Sequence, residues 1–352
     1  MKTLLPLLAC CMLAGCTTLP YHPPQFLEND ARFPGLVDVA ADAPGRHADV
    51  LLVHGMCTHD VRWADDTVAQ LSTALRAQLG TSPAAPAAVG DGIAIISRRL
   101  PLPQGELRFQ ALLWSPLTTP LKHQLDYDHS DRVPARRARL NGTLKDGLID
   151  DCIADALVYQ GVARDTLRQR MREAILRATA DQSADAPLVV LSSSLGSKIL
   201  FDTLLQMLEE PATRAAAQRT ADRLSYLVMA ANQIPLLSLA DQPLPGAALA
   251  AAGPPDSLLA VLRQRRAPAV PRAPLPQLVL VAFTDPNDLL SYTLPRERYA
   301  GAGVQVFNVL VSNAPGWFGL LERPDQAHGN YLRNPDVARL VACGQPRSAR
   351  CN

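Results

Sequence analysis

The chain has 352 residues, 48% hydrophobic and 19% charged, enough apolar material for one large single-core domain or two smaller ones, and it is not a disordered chain. Lys+Arg 34 against Asp+Glu 33 leaves a formal net charge of +1, so no global field draws the molecule onto nucleic acid. Only the extreme N-terminus carries an uninterrupted apolar run, which excludes a polytopic membrane protein; with 5% aromatics and 30 prolines, the core must be mainly aliphatic and the loops stiff.

Met1 and Lys2 supply a positive segment, and Leu4 to Leu13 form an apolar run too short to span a bilayer as a stable helix. Residues 1–15 therefore read as a signal peptide. The run ends in Leu13-Ala14-Gly15-Cys16, and here the sequence resembles a bacterial lipoprotein signal. That resemblance implies cleavage before Cys16 and acylation of that cysteine. With Thr17 rather than Asp behind it, it also implies attachment at the periplasmic face of the outer membrane. Three acyl chains exceed the two signals that stable anchoring needs.

Removing residues 1–15 takes away Lys2 and no acid, so the mature formal charge is 33 − 33 = 0. It also removes Cys10 and Cys11, leaving Cys57, Cys152, Cys343 and Cys351 besides Cys16, an even number in an oxidising compartment. Pairing Cys343 with Cys351 closes a short C-terminal loop and leaves Cys57 for Cys152. A metal site of His54, Cys57 and His59 is the sharper alternative. No second ligand cluster has zinc-like spacing, so no metal is expected.

Residues 16–47 hold Pro20, Pro23, Pro24, Pro34 and Pro44, too many for a helix or a central strand, and read as a tether and lead-in loop. The domain is expected over 48–343. Asp49-Val-Leu-Leu-Val-His54-Gly55 has the continuous apolar character of a strand buried on both faces. A helix follows at Ala64 to Leu79, with Val68, Leu71, Leu75 and Leu79 at helical spacing. Further strands are predicted at Leu107 to Trp114, Leu188 to Ser192, Leu224 to Ala230, Leu278 to Phe283 and Val304 to Val311, and a last helix at Pro335 to Ala342. Strands alternating with helical patterns imply an α/β protein with a mostly parallel central sheet flanked by helices.

Two insertions interrupt this rhythm. Residues 115–164 carry Arg132, Arg136, Arg137 and Arg139, then Leu144, Leu148, Ile149, Ile153, Leu157 and Val158, a pattern for an amphipathic helix with a solvated basic face. A lid, or a docking surface for anionic lipid head groups, is the second reading of that segment. Residues 243–276 form a Pro-rich excursion with a short helix and Arg263, Arg265 and Arg266. Residues 344–352 read as a tail.

In Leu188-Val-Val-Leu-Ser192-Ser193-Ser194-Leu195-Gly196-Ser197, a buried strand passes into a helix without a spacer, across tiny residues. A nucleophile on such a bend needs small side chains two positions away on either side. Ser192 would have Val190 there, Ser193 would have Leu191 and Leu195, and Ser197 would have Leu195 and Ile199. Only Ser194 has small neighbours at both, Ser192 and Gly196.

With these residues the chain resembles the α/β-hydrolase superfamily, and more narrowly its lipase- and esterase-like members; Ser192 departs from the glycine usual there. The resemblance implies that His54-Gly55-Met56 forms the loop donating one oxyanion-hole N–H, so that the donors are Met56 and Leu195. It makes His54 structural. Of the seven histidines only His328 lies downstream of the bend, where the family order Ser, Asp, His requires the base. The acid falls in Thr284-Asp285-Pro286-Asn287-Asp288: Asp288, followed by apolar residues, is favoured, and Asp285 stays as the alternate, a residue that could instead organise the turn.

The expected activity is cleavage of a carboxylic, lipid-like ester through a Ser194 acyl-enzyme, without metal or organic cofactor. The expected partners are an ester or lipid substrate and the membrane, not nucleic acid. Acyl transfer on the same fold and a non-catalytic envelope scaffold are the competing readings.

Overall fold

The computed structural model describes residues 22–78, 92–129, 137–242, 256–266, 277–317 and 321–351. The signal peptide, Cys16, Arg132, Arg136 and most of the 243–276 excursion lie outside the described residues.

One eight-stranded sheet carries the fold. Its strands are β1 (Gln25–Phe26), β2 (His47–Val53), β3 (Ala94–Leu102), β4 (Gly105–Leu113), β5 (Leu188–Ser193), β6 (Leu224–Ala230), β7 (Leu278–Thr284) and β8 (Val304–Leu310). Across the sheet they run β1-β8-β7-β6-β5-β2-β4-β3. The six strands from β8 to β4 pair in parallel, while β1 joins β8 and β3 joins β4 antiparallel. This is the mixed α/β architecture expected from the sequence, and it is compatible with the α/β-hydrolase fold.

The parallel strands are apolar on both faces because helices cover both. In β5, Leu188 and Val190 face one core while Val189 and Leu191 face the other. The second core packs α1 (Leu36–Ala41), α2 (Val61–Leu75) and a C-terminal helix over Pro335–Cys343. The first packs α3 (Ala154–Gln160), α4 (Arg164–Thr179), α5 (Ser194–Glu209), α6 (Arg214–Arg223) and α7 (Ser257–Gln264). A two-stranded ribbon, β9 (Gly316–Trp317) with β10 (Leu321–Glu322), precedes α8 (Pro324–Gly329), and the C-terminal helix is α9. Among the described residues, no helix is long and apolar enough to cross a membrane.

The tether ends earlier than expected, because residues 25–47 belong to the domain. Pro34 and Pro44 flank α1 instead of interrupting it, and Leu36, Val39 and Ala40 are fully buried. The backbone at Gly35 presses on α9, where a Cβ would meet the Ala342 carbonyl oxygen at 2.3 Å. Residues 344–351 are likewise no loose tail: Phe33 bridges Gln345, Arg350 pairs with Asp38 and Asp42, and Cys351 is buried and bonded to Cys343.

Helix α2 begins at Val61 and not at Ala64, because the Asp60 carboxylate caps it by accepting from Arg62 N–H at 2.9 Å. The insertion is helical, but over Leu144–Ile153 it winds as a π-helix. The wider turn breaks the expected apolar stripe: Leu148 is buried, while Ile149 and Leu157 face solvent.

Asp49 at the start of β2 and Arg223 at the end of α6 form an ion pair, both groups almost fully buried. Arg223 also donates to Ala186 O and Gln182 Oε1. Replacing Arg223→Met leaves the Asp49 carboxylate buried without its counter-charge. A loss of about 3 kcal/mol in urea unfolding is expected, and an unchanged midpoint would show that the pair does not hold β2 to α6.

Candidate functional site

Strand β5 runs directly into α5, and Ser194 at the junction has φ +51°, in the left-handed region. For a serine that conformation costs on the order of 1 kcal/mol and persists only where the surroundings enforce it. The enforcing contacts are close backbone approaches. A Cβ on Gly196 would lie 2.0 Å from the His54 carbonyl oxygen, and one on Gly55 would lie 2.8 Å from Ser194 Cβ. Ser192 fits in place of glycine because its Oγ turns to Ser197 Oγ, which donates to it at 2.9 Å.

The bend aims the Ser194 hydroxyl at α8. Ser194 Oγ lies 3.0 Å from His328 Nε2, and His328 Nδ1 lies 2.9 and 3.0 Å from the two oxygens of Asp288. With Nδ1–H donating to the carboxylate, Nε2 is left to accept the hydroxyl proton. All three groups are buried, so water competes weakly for these bonds. The structure thus brings Ser194, His328 and Asp288 together. Such a chain can deprotonate the serine as it attacks a carbonyl and stabilise the imidazolium that results.

Asp285 does not reach the imidazole. Its carboxylate accepts from Asn287 N–H at 2.9 Å and Asn313 N–H at 2.7 Å, which ties the loop after β7 to the loop after β8. Tyr331, which sequence reasoning missed, completes this side of the site. Its hydroxyl donates to Asp288 Oδ2 at 2.9 Å and accepts from Asp285 N–H at 2.7 Å. Nothing in the local sequence marks that tyrosine, three residues past His328, because its partners come from another loop.

On the other flank, His54 is a fully buried structural residue. Its Nδ1–H donates to Gly55 O at 2.8 Å, and its Nε2 accepts from Trp114 N–H at 2.9 Å. Burial holds the imidazole well below its ordinary pKa and keeps it neutral. Met56 follows Gly55, Leu195 precedes Gly196, and both are buried. Leu195 lies in the first turn of α5, where a backbone N–H has no carbonyl four residues back within the helix.

The loop after Met56 is clamped by the insertion. Cys57 is disulfide-bonded to Cys152, and Cys57 N–H donates to Asp155 Oδ2 at 2.8 Å. Thr58 donates to Asp151 from its N–H and, at 2.6 Å, from its hydroxyl. Lys122 Nζ bridges both acids, 2.8 Å from Asp151 Oδ1 and 3.3 Å from Asp155 Oδ2. Both cysteine pairs expected from the sequence are present. The alternative metal set is committed elsewhere: Cys57 is in a disulfide, both His54 nitrogens are bonded, and His59 Nε2 pairs with Met56 O. Among the described residues, the close group Cys57, Asp151 and Cys152 likewise offers only one free-standing ligand, a carboxylate already held by Thr58 and Lys122.

No protein-family model matches the chain, and no curated protein matches it.

Two consequences can be measured. Gly196→Ala drives a methyl into the His54 carbonyl, so it should destabilise the fold by about 3 kcal/mol and disturb the bend; a variant with wild-type thermal stability would show that the two backbones can separate freely. The second concerns Glu322 on β10, whose carboxyl is pushed up to about 7 by burial and then by the charge of Asp285. The folded state therefore keeps a proton that the unfolded chain loses near the ordinary glutamate value, and stability falls as pH rises from about 4.5 to 7. Glu322→Gln should remove that part of the fall, read as a smaller drop in melting temperature between pH 5 and pH 8; an identical drop would remove Glu322 from the account.

Proposed function

We propose that this chain is a lipid-anchored serine hydrolase of the α/β-hydrolase type, which cleaves carboxylic esters through an acyl-enzyme on Ser194. The observation that carries the reading is a serine at φ +51° on a strand-to-helix bend, hydrogen-bonded to a histidine whose other nitrogen is held by an aspartate. Strain of this kind in a buried serine has no packing benefit, and it presents the hydroxyl to the imidazole.

In the first half-reaction Ser194 Oγ attacks the ester carbonyl carbon while its proton passes to His328 Nε2. Asp288 stabilises the imidazolium, and the tetrahedral oxyanion is met by the N–H groups of Met56 and Leu195. Each such donor contributes about 3 kcal/mol of barrier lowering. The C–O bond to the leaving alcohol then breaks as His328 returns the proton to it. Water, deprotonated by the same imidazole, hydrolyses the acyl-serine and restores the hydroxyl.

The lipoprotein-like residues 13–16 support a membrane-tethered domain, so the substrate proposed is an apolar or lipidic ester. A fluorophosphonate should add once, at Ser194, and the purified protein should hydrolyse short p-nitrophenyl esters. Ser194→Ala should abolish both, and Asp288→Asn should lower kcat by roughly 10⁴-fold by favouring the wrong tautomer. Adduct formation on the Ser194→Ala variant, located by peptide mapping, would remove the assignment.

A further inference from the structure

Strand β1 fixes where the chain leaves the fold toward its N-terminus. Gln25 pairs with Leu310, the last residue of β8, and Leu310 lies level with Thr284, the last residue of β7. The chain therefore joins the domain at the edge where the parallel strands end. That is the edge carrying Ser194 after β5, Asp288 after β7 and the oxyanion loop after β2. From Cys16 to Gln25 there are nine residue steps, a reach of about 30 Å at most. A domain of this size is about 50 Å across. A lipid on Cys16 thus cannot hold the opposite edge against a bilayer.

The same edge carries the exposed apolar side chains. Among the described residues, every exposed large hydrophobic except Leu27 lies in the 115–164 insertion or in the loops that follow β6 and β7. Leu157 is 69% exposed on α3, Val162 is fully exposed at the turn between α3 and α4, and Leu289, next to Asp288, is 69% exposed. The insertion begins where β4 ends and packs on the oxyanion loop through Asp151, Asp155 and Cys152, which places it on this edge. Its ends are also fixed: Gln160 donates to Leu237 O and Arg164 pairs with Asp241, so α3 is seated beside the loop after β6. Apolar side chains held outward on a fixed scaffold are costly in water and favourable in an acyl-chain boundary.

We infer that the strand-end edge carrying Ser194 lies against the lipid bilayer, with Leu157, Val162 and Leu289 dipping into its surface, so that ester substrates reach the site from the membrane. The inference rests on the lipid anchor at Cys16 and deepens the hydrolase reading by naming the face through which its substrate arrives. Electrostatics are secondary, because the mature chain has no net formal charge. The acyl chains anchor the protein, and burial of these side chains fixes which edge faces the bilayer.

The test uses the mature acylated chain on vesicles of phosphatidylethanolamine and phosphatidylglycerol. An environment-sensitive fluorescent amino acid is placed either at Leu157 or at Ser183, which is exposed at the opposite edge, before β5. Doxyl-labelled lipids should quench the probe at 157 several-fold more than the probe at 183; equal or reversed quenching overturns the inference. In the same vesicles Leu157→Asp with Val162→Asp should lower hydrolysis of a bilayer-resident ester about tenfold and leave turnover of a soluble p-nitrophenyl ester unchanged. Undiminished lipid hydrolysis also overturns it. Absence of acylation at Cys16 overturns both the anchor and this inference. Normal quenching without hydrolysis of either ester keeps the seating of the edge and overturns only the hydrolase reading.

Discussion

Two chain segments meet at backbone distance where β2 and β5 end, and the site is organised around that approach. Val53 pairs with Ser192 in parallel register, so His54-Gly55-Met56 and Ser193-Ser194-Leu195 leave the sheet side by side. The space between them admits no side chain at 55 or 196. Closing it forces Ser194 to φ +51°, raises its hydroxyl above the strand end, and sets the Met56 and Leu195 backbones beside it. In the proposed reaction the same compression that strains the nucleophile therefore also positions the oxyanion donors. Relaxing it would cost both.

The insertion is a structural part of this arrangement. A loop leaving a central strand exposes N–H groups that need acceptors, and a neighbouring buried carboxylate supplies them at a desolvation cost. Asp155 and Asp151 serve Cys57 and Thr58, Lys122 offsets their charge, and the Cys57–Cys152 bond closes a 95-residue separation at the same point. Burial pushes the Asp155 carboxyl up, so Lys122 matters for keeping it ionised. A second buried network ties the far end of the insertion to the helix that starts at Ser194: Tyr159 on α3 donates to Asp202 on α5, which also pairs with Lys198. The insertion is thus fastened to both segments that meet at the bend.

The parts legible in the sequence are those that the strand-and-helix alternation dictates locally. Strands buried on both faces read as apolar runs, and the steric demand of the bend selected Ser194 from four serines. Strand β3 is not legible because an edge strand has one partner and tolerates polar residues and proline, and Ser97, Arg98, Arg99 and Pro101 interrupt its apolar residues. Strand β1 is two residues long and has no pattern to read. Helix α1 is six residues between prolines, stabilised by burial against α9 and not by propensity. Ile149 and Leu157 leave the apolar stripe that a period of 3.6 implies, because the chain winds as a π-helix as far as Ile153 and so rotates both that segment and the start of α3. Asp285 and Asp288 were separable only in part, since each is three-dimensional in its reason: one binds two loops and the other a histidine 40 residues away.

That pair shows how the site distributes charge. Asp285, Asp288 and Glu322 crowd one corner, and three ionised carboxylates there would repel each other through a partly desolvated medium. Asp288 receives His328 Nδ1–H, the Tyr331 hydroxyl and Leu290 N–H; Asp285 receives the Asn287 and Asn313 backbone N–H groups, and the Asn287 side-chain amide lies between Asp285 and Glu322. Glu322 retains its proton up to about pH 7 because burial, and then the charge of Asp285, disfavour its ionised form. Burial also raises the Asp285 pKa. Tyr331 connects the two aspartates through one hydroxyl, accepting from the Asp285 backbone as it donates to the Asp288 carboxylate. The turn that Asp285 folds is thereby the turn that delivers Asp288 to the imidazole.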